Sequence, residues 1–293
     1  MRYGVTSVSQ TLQFEPALMG VRRYWLVRGE QTGGRFTIPD DNLDISLVGA
    51  RLSGVDFSRI RFGGFLAHDS VFEGCDFSRT SFSKVQFGAT GYDGTRWDEQ
   101  RWPETVYRDC AFARTKIPAR AFFGNARFER CVLDHAGQLG WRFSGQPAQF
   151  VDCTFRGRIK NCIFDGTVTG HSTALGRDRN AFTGNDFTGA ELVDNVFRHI
   201  DLRAQIFPGP PGHALLDRFD ERVEAVLAAY PDPPADHIWS GVVWWLRYRA
   251  EKAVEFNDGY AQVSPDSLGP WIPHDVGERL FHLLVAHGQV SRR

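Results

Sequence analysis

Apolar residues recur every five positions through much of this chain, and few architectures accept that period. Stepping by five from Leu47 passes Leu52, Phe57, Phe62, Ala67, Phe72, Phe77, Phe82, Phe87, Tyr92, Trp97, Trp102, Tyr107, Phe112 and Ile117 to Phe122, and every stop is apolar. With a hydrophobic content of 42%, chance does not produce such a run. The phase then slips by one to Phe128 and Leu133, resumes at Phe150 and Phe155, breaks, and reappears at Phe164. A last register runs Phe182, Phe187, Leu192, Phe197, Leu202 and Phe207. Five is neither the helical period nor the strand period. It describes a chain that points inward once on each side of a polygon.

The position two residues before each centre supports this reading, because it is small or slender. It holds Ala50, Val55, Thr80, Val85, Ala126, Ala148 and Ala190, and also all five cysteines: Cys75, Cys110, Cys131, Cys153 and Cys162. The large exception, Phe65, precedes the one small centre, Ala67, as expected if the two exchange volume at constant packing. Gln100, Arg120 and Gln205 do not fit, so distortion is expected near them. An odd number of cysteines with no C-x-x-C pair signals neither a disulfide framework nor a zinc site. In an inward slot they are buried small hydrophobes.

Blocks such as Ala50-Arg51-Leu52-Ser53-Gly54, Val55-Asp56-Phe57-Ser58-Arg59, Cys75-Asp76-Phe77-Ser78-Arg79 and Ala190-Glu191-Leu192-Val193-Asp194 resemble the A-(D/N)-(L/F)-x-x unit of pentapeptide-repeat proteins. The resemblance covers about residues 41–207. It implies a mainly β fold: a right-handed quadrilateral parallel β-helix with four pentapeptides per coil. The core ladder would include Leu47, Leu52, Phe57, Phe62, Phe72, Phe77, Phe82, Phe87, Phe112, Phe187, Leu192, Phe197 and Leu202. The departure from the family pattern is the heavy use of aromatic centres where Leu is usual.

Three regions follow: a non-repeat N-terminal cap (1–40), the repeat region (41–207) and a helical C-terminal module (208–293). In the first, Thr11–Phe14 and Tyr24–Arg28 read as strands. Within the second, residues 136–147 and 171–180 leave the register and read as loops, which offers Trp141, Arg142, Arg177 and Arg179 as candidate recognition residues. Pro208-Gly209-Pro210-Pro211-Gly212 breaks the repeat. Helical spacing follows from Leu215 to Tyr230, from Asp236 to about Phe256, and over Val276–Ala286. A coil end is an open sheet edge, so a cap there is required. Part of the apolar helical surface could also pair with a second copy, giving a homodimer.

Candidate chemistry is sparse. The net charge of -1 argues against direct nucleic-acid binding, and the apolar run Gly241–Leu246 is far shorter than the roughly 20 residues a membrane span needs. With no signal-peptide pattern, a cytoplasmic location is expected. His282 and His287 are five apart, which is not the helical spacing of a metal pair, so no metal and no cofactor are expected. Asp56, Asp76, Asp186, Glu191 and Asp201 precede centres in a slot that faces outward, which makes them solvated carboxylates rather than an acid–base pair. Trp244 and Trp245, with Arg247 and Arg249, either stack a ligand or pack in the helix core; packing is the stronger expectation. No nucleophile, base and acid converge, so the reading is non-enzymatic.

The resemblance implies a protein partner, and the quinolone-resistance and antibiotic self-resistance members point to DNA gyrase. Imitation of duplex DNA would need an acidic rod. Residues 41–207 instead carry 20 acidic and 21 basic residues, against 12 and 8 in residues 208–293. Gyrase therefore remains as a partner met through loops. The alternatives are an immunity or scaffold protein for a different protein and, less favoured, an enzyme built on the helical module.

Overall fold

The computed structural model describes residues 9–19, 22–41, 43–89, 102–118, 121–136, 147–168, 172–230, 236–269 and 271–290. The five-residue period places centres one above another in parallel strands. In one sheet Asp44–Val48, Arg61–His68 and Ser81–Gln86 pair in that order, with Leu47 facing Ala67 and Phe62 facing Phe82. A second sheet aligns Leu52, Phe72, Tyr107, Phe128, Phe150 and Phe182 on successive parallel strands. A third joins Val132–Asp134, Thr154–Lys160 and Asp186–Val193, and a fourth pairs Ile163–Asp165 with Val196–Arg198. Single bridges tie Arg35, Asp56, Asp76, Ala111 and Val132 into a further column.

The register lines up aromatic rings at the spacing of the strands themselves, about 4.8 Å. Phe57 stacks on Phe77 at 4.6 Å, Phe77 on Phe112 at 4.9 Å, Phe72 on Tyr107 at 4.6 Å and Phe164 on Phe197 at 5.0 Å, each pair within 7° of parallel. Neighbouring columns meet edge to face, as Phe87 does with Phe112 at 89°. Ring faces and ring edges are thus both used, the two favourable aromatic geometries. Leu47, Leu52, Phe57, Phe62, Phe72, Phe77, Phe82, Phe87, Phe112, Phe187, Leu192, Phe197 and Leu202 are all buried.

At many of the corners between columns the chain turns at the residue two after the centre. Gly54, Gly74, Arg59, Arg79 and Asp109 all have φ between 52° and 62° there. Only glycine takes that left-handed region without steric cost, so the arginine and aspartate corners carry a small strain that the rungs on both sides hold in place. The aspartates before the centres are more than solvated, because Asp56 and Asp76 Oδ1 accept the corner N–H of Ser58 and Ser78 at 2.7 and 2.8 Å.

Several expectations need correction. Phe122 is only partly buried and Phe123 takes the inward place, so the phase slips one slot earlier than the sequence suggests. Phe72 pairs with Tyr107 rather than with Tyr92, and Trp102 is not a rung centre; Tyr92 and Trp97 lie outside the described residues. The break after Phe155 is the loss of one residue, since Ile159 aligns with Leu192 beside a register shift. The ladder also begins before residue 41: Trp25 and Val27 already pair with Ile45 and Leu47, and Gln31 with Leu52. Gln31 hid that rung by putting a polar residue in a centre slot. Its buried amide donates to Gly33 O at 3.0 Å. The strand expected at Thr11–Phe14 is Gln13–Met19, antiparallel to Arg22–Arg28.

After the last rung, Ala214–Leu216 forms a strand, antiparallel to Ala261–Val263, where a helical stripe was expected. Four α-helices occur among the described residues: the single turn α1 (Ser172–Leu175), then α2 (Phe219–Ala229), α3 (Asp236–Asn257) and α4 (His274–Val290). The last three enclose a second core built on Phe219, Val223, Val242, Leu246, Leu280, Phe281 and Leu284. None of the described helices is long and apolar enough to cross a membrane.

Candidate functional site

Helix α3 carries two stripes at helical spacing. Val242, Leu246, Ala250 and Ala253 are buried in the helical core. The other stripe, Trp244, Tyr248, Lys252 and Phe256, lines an open cleft of about 630 Å³ whose far wall is the end of the ladder, Asp194 to Arg198. Trp244 is 64% exposed and Tyr248 40%, and their rings stack at 5.7 Å, 9° from parallel. Trp245 lies against Tyr248 at 5.7 Å, which makes a continuous aromatic wall. The helix-packing expectation therefore fails for Trp244, because the core stripe lies on the other side of α3.

The charges in the cleft have distinct environments. Arg249 donates to the carbonyls of Ser267 and Gln262. Burial pushes its guanidinium down to about 10, with the Asp194 carboxylate opposing that shift. Burial holds Asp194 above the usual carboxylate range, against the pull of Lys160 and Arg249. Lys252 is held by Glu255 and Glu251 at 2.5 and 3.3 Å. Arg198 lies 5.7 Å over the Phe256 ring, makes no ion pair among the described residues, and keeps a buried Nε–H without an acceptor. Trp245 Nε1–H is likewise buried, with no acceptor among the described residues. Arg247 points elsewhere and pairs with Glu224 at 2.7 Å.

The residues offered from the sequence fall differently. Trp141 and Arg142 lie outside the described residues. Arg177 belongs to the fold: its Nη2 donates to Pro147 O at 2.6 Å and Asn125 Oδ1 at 2.8 Å, and Nη1 lies 3.6 Å from Glu104. Arg179 donates to His199 O at 3.1 Å. Arg177 is half-buried and ties the excursion between Phe150 and Phe182 to the rungs, whereas Arg179 is exposed and makes one backbone contact. The five cysteines are buried, and four of them, Cys75, Cys110, Cys131 and Cys153, sit on consecutive rungs. Their thiols donate to the carbonyls of Leu52, Phe72, Tyr107 and Phe128 at 3.3 to 3.5 Å. Asn185 continues the column, its Oδ1 accepting from Cys153 N at 3.0 Å.

A five-residue period, parallel pairing and a small slot two before each centre are now together. The chain resembles the pentapeptide-repeat proteins. No family model and no curated protein matches it. Among solved structures it is similar to HetL, a pentapeptide repeat protein involved in heterocyst differentiation regulation from the cyanobacterium Nostoc. The two share 14% identity over 64% of this chain and 81% of HetL, with a TM-score of 0.21. That superposition is too loose to carry detail, and the repeat rests on the strand register.

Proposed function

We propose that this chain is a non-enzymatic protein-binding protein in which the repeat rungs are scaffold and the α3 cleft takes the partner. The observation behind this is the exposed, stacked Trp244–Tyr248 wall beside Arg198, which has no ion pair among the described residues. Exposed aromatics and arginine are the residue types that dominate protein–protein hot spots. On this reading the rungs wind as a right-handed quadrilateral β-helix over residues 41–207, continued back through the parallel pairings of Trp25, Val27 and Gln31, and are followed by a helical module (208–293), in a cytoplasmic protein.

DNA gyrase is the partner the family resemblance favours. The balanced charge of residues 41–207 supports contact with the enzyme rather than imitation of its DNA. The immunity or scaffold reading draws on the same cleft, since its place in the non-repeat helical segment suits a dedicated partner. Purified chain should retain gyrase on beads and alter supercoiling, with or without a quinolone. The variant combining Trp244→Ala and Tyr248→Ala should lose both effects at unchanged melting temperature. If gyrase is neither retained nor affected, gyrase is removed as the partner. If the double variant keeps full affinity for a captured partner, the cleft is not the binding site.

A further inference from the structure

The two walls of the cleft ask for different chemistry within one occupant. The α3 wall is a flat aromatic face, Trp244 stacked on Tyr248, with its ring surface open to solvent. Such a face gains most from another ring or a flat apolar side chain laid against it. The ladder wall presents Arg198. In the cleft, Arg249 and Asp194 offset one another and Lys252 is taken by Glu251 and Glu255. Arg198 is left as the cation with no carboxylate among the described residues. Its Nε–H and that of Trp245 Nε1 are buried donors with no acceptor among the described residues, so the charge of Arg198 is unanswered inside the protein.

The free edge of the ladder is already closed nearby, which narrows the occupant further. Asn257 Nδ2 donates to Phe197 O at 2.8 Å, and its Oδ1 accepts from Ile200 N at 3.4 Å. A partner that added a strand here would have to displace Asn257, so recognition falls to side chains. We propose that the cleft takes an acidic–aromatic segment of a partner protein: an aromatic side chain against Trp244 and Tyr248, and a neighbouring Asp or Glu carboxylate on Arg198. This rests on the reading of the cleft as a protein-binding site. Arginine suits the role because its planar guanidinium, already lying over Phe256, can offer a carboxylate two parallel N–H groups.

The test uses the full chain and short Gly-Ser peptides, capped at both ends, that differ only at a central pair: Trp-Glu, Trp-Lys or Ala-Glu. Titration calorimetry should show saturable binding of the Trp-Glu peptide, at least about tenfold tighter than either control, the equivalent of roughly 1.4 kcal/mol. Arg198→Gln should erase the preference for Glu over Lys while leaving the benefit of Trp. Trp244→Ala, at an exposed position, should weaken both Trp peptides alike. Raising the salt concentration on the unmodified chain should shrink the Glu advantage, a readout that survives if Arg198→Gln fails to fold. Equal affinity for Trp-Glu and Trp-Lys, a Glu preference that salt does not reduce, or no saturable peptide binding would each overturn the proposal. Those results leave the protein-binding reading to stand or fall on partner retention by the Trp244→Ala, Tyr248→Ala chain.

Discussion

At the scale of the residue, position within the five-residue unit decides what a side chain does. Phe77 is stacked between Phe57 and Phe112 at 4.6 and 4.9 Å, so removing its ring leaves a cavity bounded by two rings that the rungs prevent from closing. Phe77→Ala should cost about 3–5 kcal/mol in denaturant unfolding, whereas Ser78→Ala, one position on at the corner, should cost under about 0.5 kcal/mol. The cysteine column makes a second prediction. All five thiols are buried away from a reagent, and burial pushes those of Cys110 and Cys153 up, away from the reactive thiolate. The native chain should therefore react slowly with a thiol reagent and show all five thiols only after denaturation. Rapid native labelling of either residue would place it outside the core.

At the scale of the element, the spacing between stacked centres separates rung from excursion. Phe128 to Phe150 spans 22 residues, close to the 20 that separate Phe57 from Phe77. The loop expected at 136–147 falls almost wholly outside the described residues. Phe150 to Phe182 spans 32, and the extra length holds α1 and Arg177. Arg177 satisfies Pro147 O, Asn125 and Glu104 from a half-buried position. Arg177→Met should leave those acceptors unanswered and cost about 2–3 kcal/mol, seen as a lower midpoint in urea with no change in slope. A neutral effect would return Arg177 to the list of recognition residues.

At the scale of the molecule, the helical segment does two things at once. It closes the ladder, with Asn257 on Phe197 and Ile200 and Ser264 Oγ donating to Leu192 O at 3.4 Å. It also stands α3 away from the ladder end far enough to leave the cleft. The join is sensitive to pH through His213, whose Nδ1 accepts from Gln262 Nε2 at 3.2 Å and which burial holds below its usual 6.5. The unfolded chain then takes up this proton first as the pH falls. The stability contributed by neutral His213 is full above about 6.5 and is lost progressively below it. Melting temperature should drop between pH 7.5 and 5.5, and His213→Gln should flatten that step; an equal drop in the variant would assign it to other groups.

The repeat was legible because five-residue spacing is a local property: each Phe, Leu or Cys states its own depth wherever the turns are uniform. That was enough to reveal the columns of stacked centres and the inward cysteines. Local spacing could not say where a pass is interrupted, since Tyr92, Trp97 and Trp102 keep the period while Tyr107 is the residue that pairs with Phe72. Nor could it find the rung at Gln31, where a buried amide stands in for an apolar centre. The cleft lay furthest from view. Trp244 and Arg198 are 46 positions apart in the chain. One is apolar, so it reads as core, and the other is charged, so it reads as surface. Only the packing of α3 beside the last rung turned the tryptophan outward and set the arginine over Phe256 with no ion pair among the described residues.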